Sequence, residues 1–320
     1  MQLFIDTLSF TLHVTAPVFV LVFLGMLFRR MDLINDEFNR VASRLVFNVT
    51  LPTLVFLNLL RTDLTQVFAL DLLFYAALVT LLAFGWLVWR ARSLPSAADR
   101  GVFVQGSFRG NLGILGLALA GNQYGEAGLA LTSILLALLI VQYNLLSVVA
   151  LNLWRDNGGK GINWRRMLLD VVRNPLIIAV ALAVPTSLWS VPIPQLALKV
   201  GDYFASMTLP LALLCIGAAL DLRALRETSG PALMATAYKL VLLPVPMVLG
   251  AWLLGYEGMT LGILFLVFSC PTAAASYVMA RAMGGNAVLS ANIVALTTLF
   301  GTLSISLGVF LLHWFGLSQG

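Results

Sequence analysis

The residues best suited to chemistry lie in one short stretch, Gln105-Gly106-Ser107-Phe108-Arg109-Gly110-Asn111-Leu112-Gly113, inside an otherwise apolar run. Glycines weaken helix continuity, and an arginine at a membrane centre costs about 2.5–3.5 kcal/mol on insertion scales. A helix is therefore expected to break here, shielded from lipid. A second stretch, Ser269-Cys270-Pro271-Thr272-Ala273-Ala274-Ala275-Ser276, places a proline mid-run, which removes one helical hydrogen bond and crowds the preceding turn. Two interrupted helices that cross are expected. Backbone groups freed at such breaks are tolerated only against protein or a wet cavity, and half-helix N-termini favour anions. The guanidinium of Arg109, the amide of Asn111, the backbone around Gly110 and the hydroxyls of Thr272 and Ser276 form the expected anion site, with Gly113 and Pro271 at the breaks.

Arg109 and Lys239 are cations deep in apolar runs, and no Asp or Glu lies well inside any run to neutralise them. Each has two readings: a side chain that snorkels to headgroups, or a buried charge awaiting an incoming anion. Lys239 has a third, loss of its proton on burial, which would make it a coupling group. The second run carries Asn48, Thr50 and Pro52, and the seventh carries Ser206, Thr208 and Pro210 at matching places. These read either as kinks at Pro52 and Pro210 or as site lining. Gln142, Tyr143, Asn144 and Asn292 read equally as interhelical hydrogen bonds or ligand contacts. Sodium held by carbonyls and hydroxyls at the crossing, Ser107 and Ser269 among them, and protons are the candidate coupling ions. His13 and His313 are isolated, without metal or catalytic spacing, and the spans hold no acidic pair. An enzyme is therefore not expected, nor a metal or organic cofactor.

Positioning these residues requires membrane helices. The 320 residues are 60% apolar and 10% charged, where a soluble domain has roughly 25% charged residues. Apolar runs fall at about 8–28, 41–60, 68–90, 101–121, 127–152, 170–190, 196–220, 231–254, 259–282 and 287–314. Each is long enough for the ~20 residues of a crossing and too uniform for a membrane barrel strand. The expected fold is all-α, with ten transmembrane helices. The first run is followed, not preceded, by its basic pair Arg29-Arg30, so it reads as a retained crossing, not a signal peptide. Basic residues cluster in alternate connections, around Arg29 to Arg44, Arg90 to Arg100, Arg155 to Arg173, Arg223 to Arg226 and at Arg281. Arg61 and Lys199 fall on the other side. Translocation of Lys and Arg is disfavoured, so the basic side is cytoplasmic and both termini lie outside an inner membrane. The net charge of +5 then reflects topology and lipid headgroups, not nucleic acid.

The chain also repeats itself. Pro17 with Pro175, Thr50-Leu51-Pro52 with Thr208-Leu209-Pro210, and Asp63-Leu64 with Asp221-Leu222 match at one common offset, which drifts to align Ser107–Asn111 with Ser269–Ala273. Residues 1–154 and 170–320 would form two five-helix repeats joined by a short basic linker, 155–169. An odd helix count inverts the second repeat in the membrane, a recurrent design of secondary transporters with substrate near the midplane.

The sequence resembles the auxin efflux carrier family, within the bile acid and arsenite-type transporter superfamily. The resemblance rests on Phe108-Arg109-Gly110-Asn111-Leu112-Gly113, on Arg173-Asn174-Pro175-Leu176, on Leu209 to Gly217 and on Pro271-Thr272-Ala273-Ala274-Ala275-Ser276. It implies inverted repeats with broken fourth and ninth helices, elevator-like alternating access, and organic-anion substrates: auxin in plants, malate- or malonate-like dicarboxylates in bacteria. It also implies a substrate-proximal role for Asn111, makes Asn48 and Pro52 the asparagine and proline of the family's second-helix pattern, and makes Pro271 the ninth-helix crossover proline. Asn48 is counted with the expected substrate-binding residues. Two departures stand out: the fifth connection lacks the long hydrophilic loop of the plant carriers, and Ala273 stands where the first repeat has Asn111. The expected function is secondary transport of a small mono- or dicarboxylate by a prokaryotic-type member, with the bilayer and a second copy of the chain as partners. A sensor on a transporter scaffold is the alternative.

Overall fold

The computed structural model describes residues 2–61, 70–154, 169, 172–189, 191–219 and 229–318. Regular structure among them is helical: α1 (Gln2–Arg30), α2 (Asp36–Arg61), α3 (Leu70–Ala91), α4 (Ala97–Phe108), α5 (112–124), α6 (Ala127–Leu153), α7 (Pro175–Leu188), α8 (Gln195–Ala219), α9 (Gly230–Leu253), α10 (Gly258–Ser269), α11 (Ala275–Ala282) and α12 (Ala287–Trp314). Over its described residues each expected apolar run is largely helical, the fourth and ninth in two pieces, α4/α5 and α10/α11. Helices α2, α3, α6, α8, α9 and α12 are each long and apolar enough to cross a membrane. Most of the linker 155–169, the basic residues Arg155, Lys160, Arg165, Arg166, Arg223 and Arg226, and the repeated Asp63-Leu64 and Asp221-Leu222 lie outside the described residues.

Local chemistry sets the element boundaries. Asn35, Asn174 and Asn286 begin α2, α7 and α12, their side chains accepting from the amides of Phe38, Leu176 and Leu289, which satisfies donors that a helix start leaves unpaired. Gly125, at φ 61° and ψ −149°, separates α5 from α6, a conformation that a Cβ would disfavour. Inside α2 and α9, Pro52 and Pro244 cannot donate to the preceding turn, and each follows a π turn, at Val46–Thr50 and Tyr238–Leu242. The Leu240 carbonyl, which Pro244 leaves without its helical donor, accepts from the Ser304 hydroxyl at 3.1 Å.

The helices pack as two groups. In one, α1 lies along α8 and α2 along both α7 and α8. The α1–α8 contact is nearly backbone to backbone: a Cβ on Gly217 would fall 2.0 Å from the Val22 carbonyl oxygen, and one on Gly25 would fall 2.3 Å from that of Leu214. Such close approach through small residues is how helices associate without a hydrophobic driving force between them. The second group gathers α3 to α6 and α9 to α12 around the two broken helices, with α12 packed against α4, α9, α10 and α11 within it and against α1 of the first group.

Candidate functional site

The two helix breaks meet. After Phe108 the chain turns extended at Arg109 (φ −76°, ψ 107°), and after Ser269 it does so at Cys270 (φ −53°, ψ 133°). Gly110 and Thr272 then pair as an antiparallel bridge. The Asn111 amide donates to the Pro271 carbonyl at 2.8 Å, and the Ala273 amide to the Arg109 carbonyl at 3.3 Å. The Thr272 hydroxyl donates to the Gly106 carbonyl at 2.7 Å, while its amide donates to Thr297 of α12 at 3.1 Å. Gly110 suits this close approach, since a Cβ there would lie 3.3 Å from both Lys239 Nζ and Cys270 Cβ, tighter than an ordinary contact.

Four half-helix ends converge at this bridge: the C-termini of α4 and α10, carrying partial negative charge, and the N-termini of α5 and α11, carrying partial positive charge. Each pair has its own surroundings. The π turn of α9 brings Lys239, 2% exposed, to the C-termini, where its ammonium donates to the Phe108 carbonyl at 3.2 Å and the Phe268 carbonyl at 2.9 Å. Neither the snorkelling reading nor the incoming-anion reading describes this lysine, because it is buried on backbone acceptors.

The N-termini face a cavity of about 470 Å³ between the two helix groups. Arg109, Gly110, Asn111 and Gly113 line it from the first break, Ala273 and Ala275 from the second, Asn58 from α2, Tyr143 from α6, and Ser206 and Pro210 from α8. Leucines of α2, α6 and α8 make the rest of the wall mostly apolar. The Asn111 side-chain amide makes no hydrogen bond among the described residues, and Gly113 has open space where a Cβ would project. The early amides of α5 lack acceptors in their own helix, as at any helix start. Arg109 is 5% exposed, so it does not snorkel. Its guanidinium donates to Asn144 Oδ1 at 2.8 Å, Ser147 Oγ at 3.1 Å and Met279 Sδ at 2.8 Å. These acceptors are all neutral. Among the described residues the ion pairs are Arg29–Asp36, Arg40–Glu37 and Arg61–Asp202, all away from this site. Arg109 thus lines the cavity while its guanidinium is held just behind that wall on Asn144, Ser147 and Met279, none of which lines it, with no carboxylate partner among the described residues.

Other expected residues lie elsewhere. Thr272 and Ser276 are buried off the cavity, with the Ser276 hydroxyl lacking a partner among the described residues. Asn48 donates to the Arg44 carbonyl at 2.9 Å, and Pro52 follows the lining residue Leu51 without lining the cavity itself. Ser107 donates to the Phe103 carbonyl, and Ser269 has no side-chain partner among the described residues. Gln142 reaches the Ala77 carbonyl at 2.9 Å, whereas its neighbour Asn144 holds Arg109. Asn58 is the lining residue that sequence reasoning missed. Its only signal is a second asparagine ten positions after Asn48.

A family model described as membrane transport protein matches residues 10–309. The chain belongs to this family, that of the auxin efflux carriers. An uncharacterized transporter of Methanothermobacter thermautotrophicus is 25% identical over 293 residues, covering 91% of this chain and 94% of the relative. One from Methanocaldococcus jannaschii is 22% identical, covering 92% and 97%. The uncharacterized transporter YfdV of Escherichia coli K12 is 23% identical, covering 76% and 78%. The family and these relatives are transporters, not enzymes, and with its apolar helices this family member is a multi-pass membrane protein.

Proposed function

We propose that this carrier moves a small carboxylate across the cytoplasmic membrane by alternating access, binding it in the cavity where the broken helices meet. The observation that carries the reading is the sorting of charge at the bridge. Lys239 sits on the negative helix ends, while the positive ends, Arg109 and the Asn111 amide, which has no side-chain partner among the described residues, border the cavity. Preorganised donors of this kind suit an anion, and a cavity of this size suits a small molecule. The apolar wall from α2, α6 and α8 suits a guest with an apolar body behind its carboxylate.

Alternating access by an elevator or rocking motion is supported by the cavity's position between two helix groups, one of which carries both broken helices. An inverted pair of five-helix repeats is supported by the bridge itself. A shift of 162 residues maps Asn111 onto Ala273 and Arg109 onto Pro271, so each of its two amide bonds maps onto the other. The same symmetry relates the α1–α8 contact to the α2–α7 contact. Both termini then face outward, with the basic connections inside.

The test is counterflow of labelled carboxylates in proteoliposomes, which a carrier supports and a sensor does not. Uptake that persists at the wild-type rate in both Arg109→Ala and Asn111→Ala variants overturns the site.

A further inference from the structure

The proposed transport reading leaves the coupling ion open, and the carbonyl side of the bridge addresses it. Where a membrane helix breaks, its last carbonyls lose their helical donors, and in the low dielectric of the bilayer those oxygens need partners. Two broken helices end at the same point here, so two C-terminal dipoles add. The Gly106 carbonyl is taken by the Thr272 hydroxyl, but Phe108 and Phe268, from different helices, present carbonyls to one common position. Transporters with discontinuous helices hold coupling cations on unwound carbonyls and half-helix C-termini of this kind. In this protein the position already holds a cation, because the ammonium of Lys239 bonds both oxygens, at 3.2 and 2.9 Å.

Three features make this a built position. Lys239 is 2% exposed, and the space it lines with Thr80, Ser107, Tyr143 and Phe268 measures only about 10 Å³. No carboxylate among the described residues pairs with it, so the helix ends supply its negative partners. Its backbone lies in the π turn preceding Pro244, and such a turn re-aims the side chains it carries. The chain thus gives up regular helix to deliver an ammonium to that point. Lys239 also does not line the cavity, so it is not positioned to hold the transported anion.

We infer that Lys239 is a tethered substitute for a coupling cation, fixed on the carbonyls where α4 and α10 end, so that the carrier assembles its anion site and works without sodium. Lys239 is thereby a positioning residue: it holds the two breaks together and cancels the negative helix ends that would repel an anion.

The experiment has a stability arm and a transport arm. In the first, the melting temperature of the purified full-length protein is followed while sodium chloride replaces choline chloride at constant ionic strength, with no organic anion present. The wild-type protein shows no sodium-specific shift. Lys239→Ala melts several degrees lower, and methylammonium, which brings an N–H donor of the missing size, raises it saturably. Tetramethylammonium, which has no N–H, does not. In the transport arm, wild-type carboxylate uptake is the same in sodium and in choline, whereas Lys239→Ala loses at least tenfold and regains part of it with methylammonium. Saturable stabilisation of the wild type by sodium, sodium-dependent wild-type uptake, or a Lys239→Met variant with unchanged melting and uptake in choline each overturns the inference, as does a folded Lys239→Ala that methylammonium leaves unmoved. If Lys239→Ala does not fold, the wild-type sodium titration and Lys239→Met still decide. Because the melting arm contains no organic anion, failure of the carboxylate reading would leave it standing.

Discussion

At the scale of single residues, Arg109 and Asn111 differ in how they are committed. Arg109 is anchored to Asn144, Ser147 and Met279, so Arg109→Ala removes a charge and strips partners from a buried polar cluster. Asn111 has no such side-chain partner among the described residues. A hydrogen bond to a charged group contributes about 1.5–3 kcal/mol, so Asn111→Ala should weaken carboxylate binding by roughly ten- to a hundredfold, measured by counterflow half-saturation, with melting unchanged. Gly113 allows a complementary test. It has open space where a Cβ would project, so Gly113→Leu should occupy the cavity and abolish counterflow while the protein still melts cooperatively at the wild-type temperature. Arg109, Gly110, Asn111 and Gly113 were legible in the sequence because a cation, an amide and glycines inside one apolar run have no ordinary packing explanation. Asn58 was not, because a lone asparagine on a long helix carries no mark of the helix that will face it. The hydroxyls of Thr272 and Ser276 looked available from composition, yet the Thr272 hydroxyl is taken by the Gly106 carbonyl. Only the pairing of the two breaks reveals that.

At the scale of elements, contact between the helix groups includes one polar cluster away from the cavity. Asn39 of α2 donates to the Cys215 carbonyl of α8 at 3.2 Å and accepts from the Tyr277 hydroxyl of α11 at 3.1 Å, joining both groups through one amide. Tyr277→Phe removes the bond across the groups without opening a cavity. It should raise the rate of exchange between inward and outward states, read as faster counterflow or altered labelling of a cysteine placed at Ser206. Within the first group the Gly25 and Gly217 contact is rigid. Gly217→Val places atoms on a backbone carbonyl, and overpacking of this kind costs about 1–3 kcal/mol, so a lowered melting temperature is expected. The helix limits were legible from hydropathy to within a few residues. The π turns were not, since Pro52 and Pro244 announce a lost hydrogen bond but not whether the chain bends or widens to absorb it.

At the scale of the whole molecule, Arg109 is the one charged residue among the described lining of a largely apolar chamber, which on the proposed function suits a single carboxylate on an apolar body better than a compact dicarboxylate. Competition of counterflow should rank branched or aromatic monocarboxylates above malonate, and the reverse order would point to a second cationic contact in another state. The division into two helix groups could not be read from the chain, because helices from both halves of the sequence contribute to each group. The proposed repeat rests on motifs matched at one offset, which hydropathy alone does not supply. The Gly110–Thr272 bridge carries one more implication. The join is sewn with main-chain amides and carbonyls, so most substitutions there leave the stitch intact. That freedom fits the differing side chains at Asn111 and Ala273, and it means that a new cargo specificity can be painted onto this frame one residue at a time without unpicking the seam.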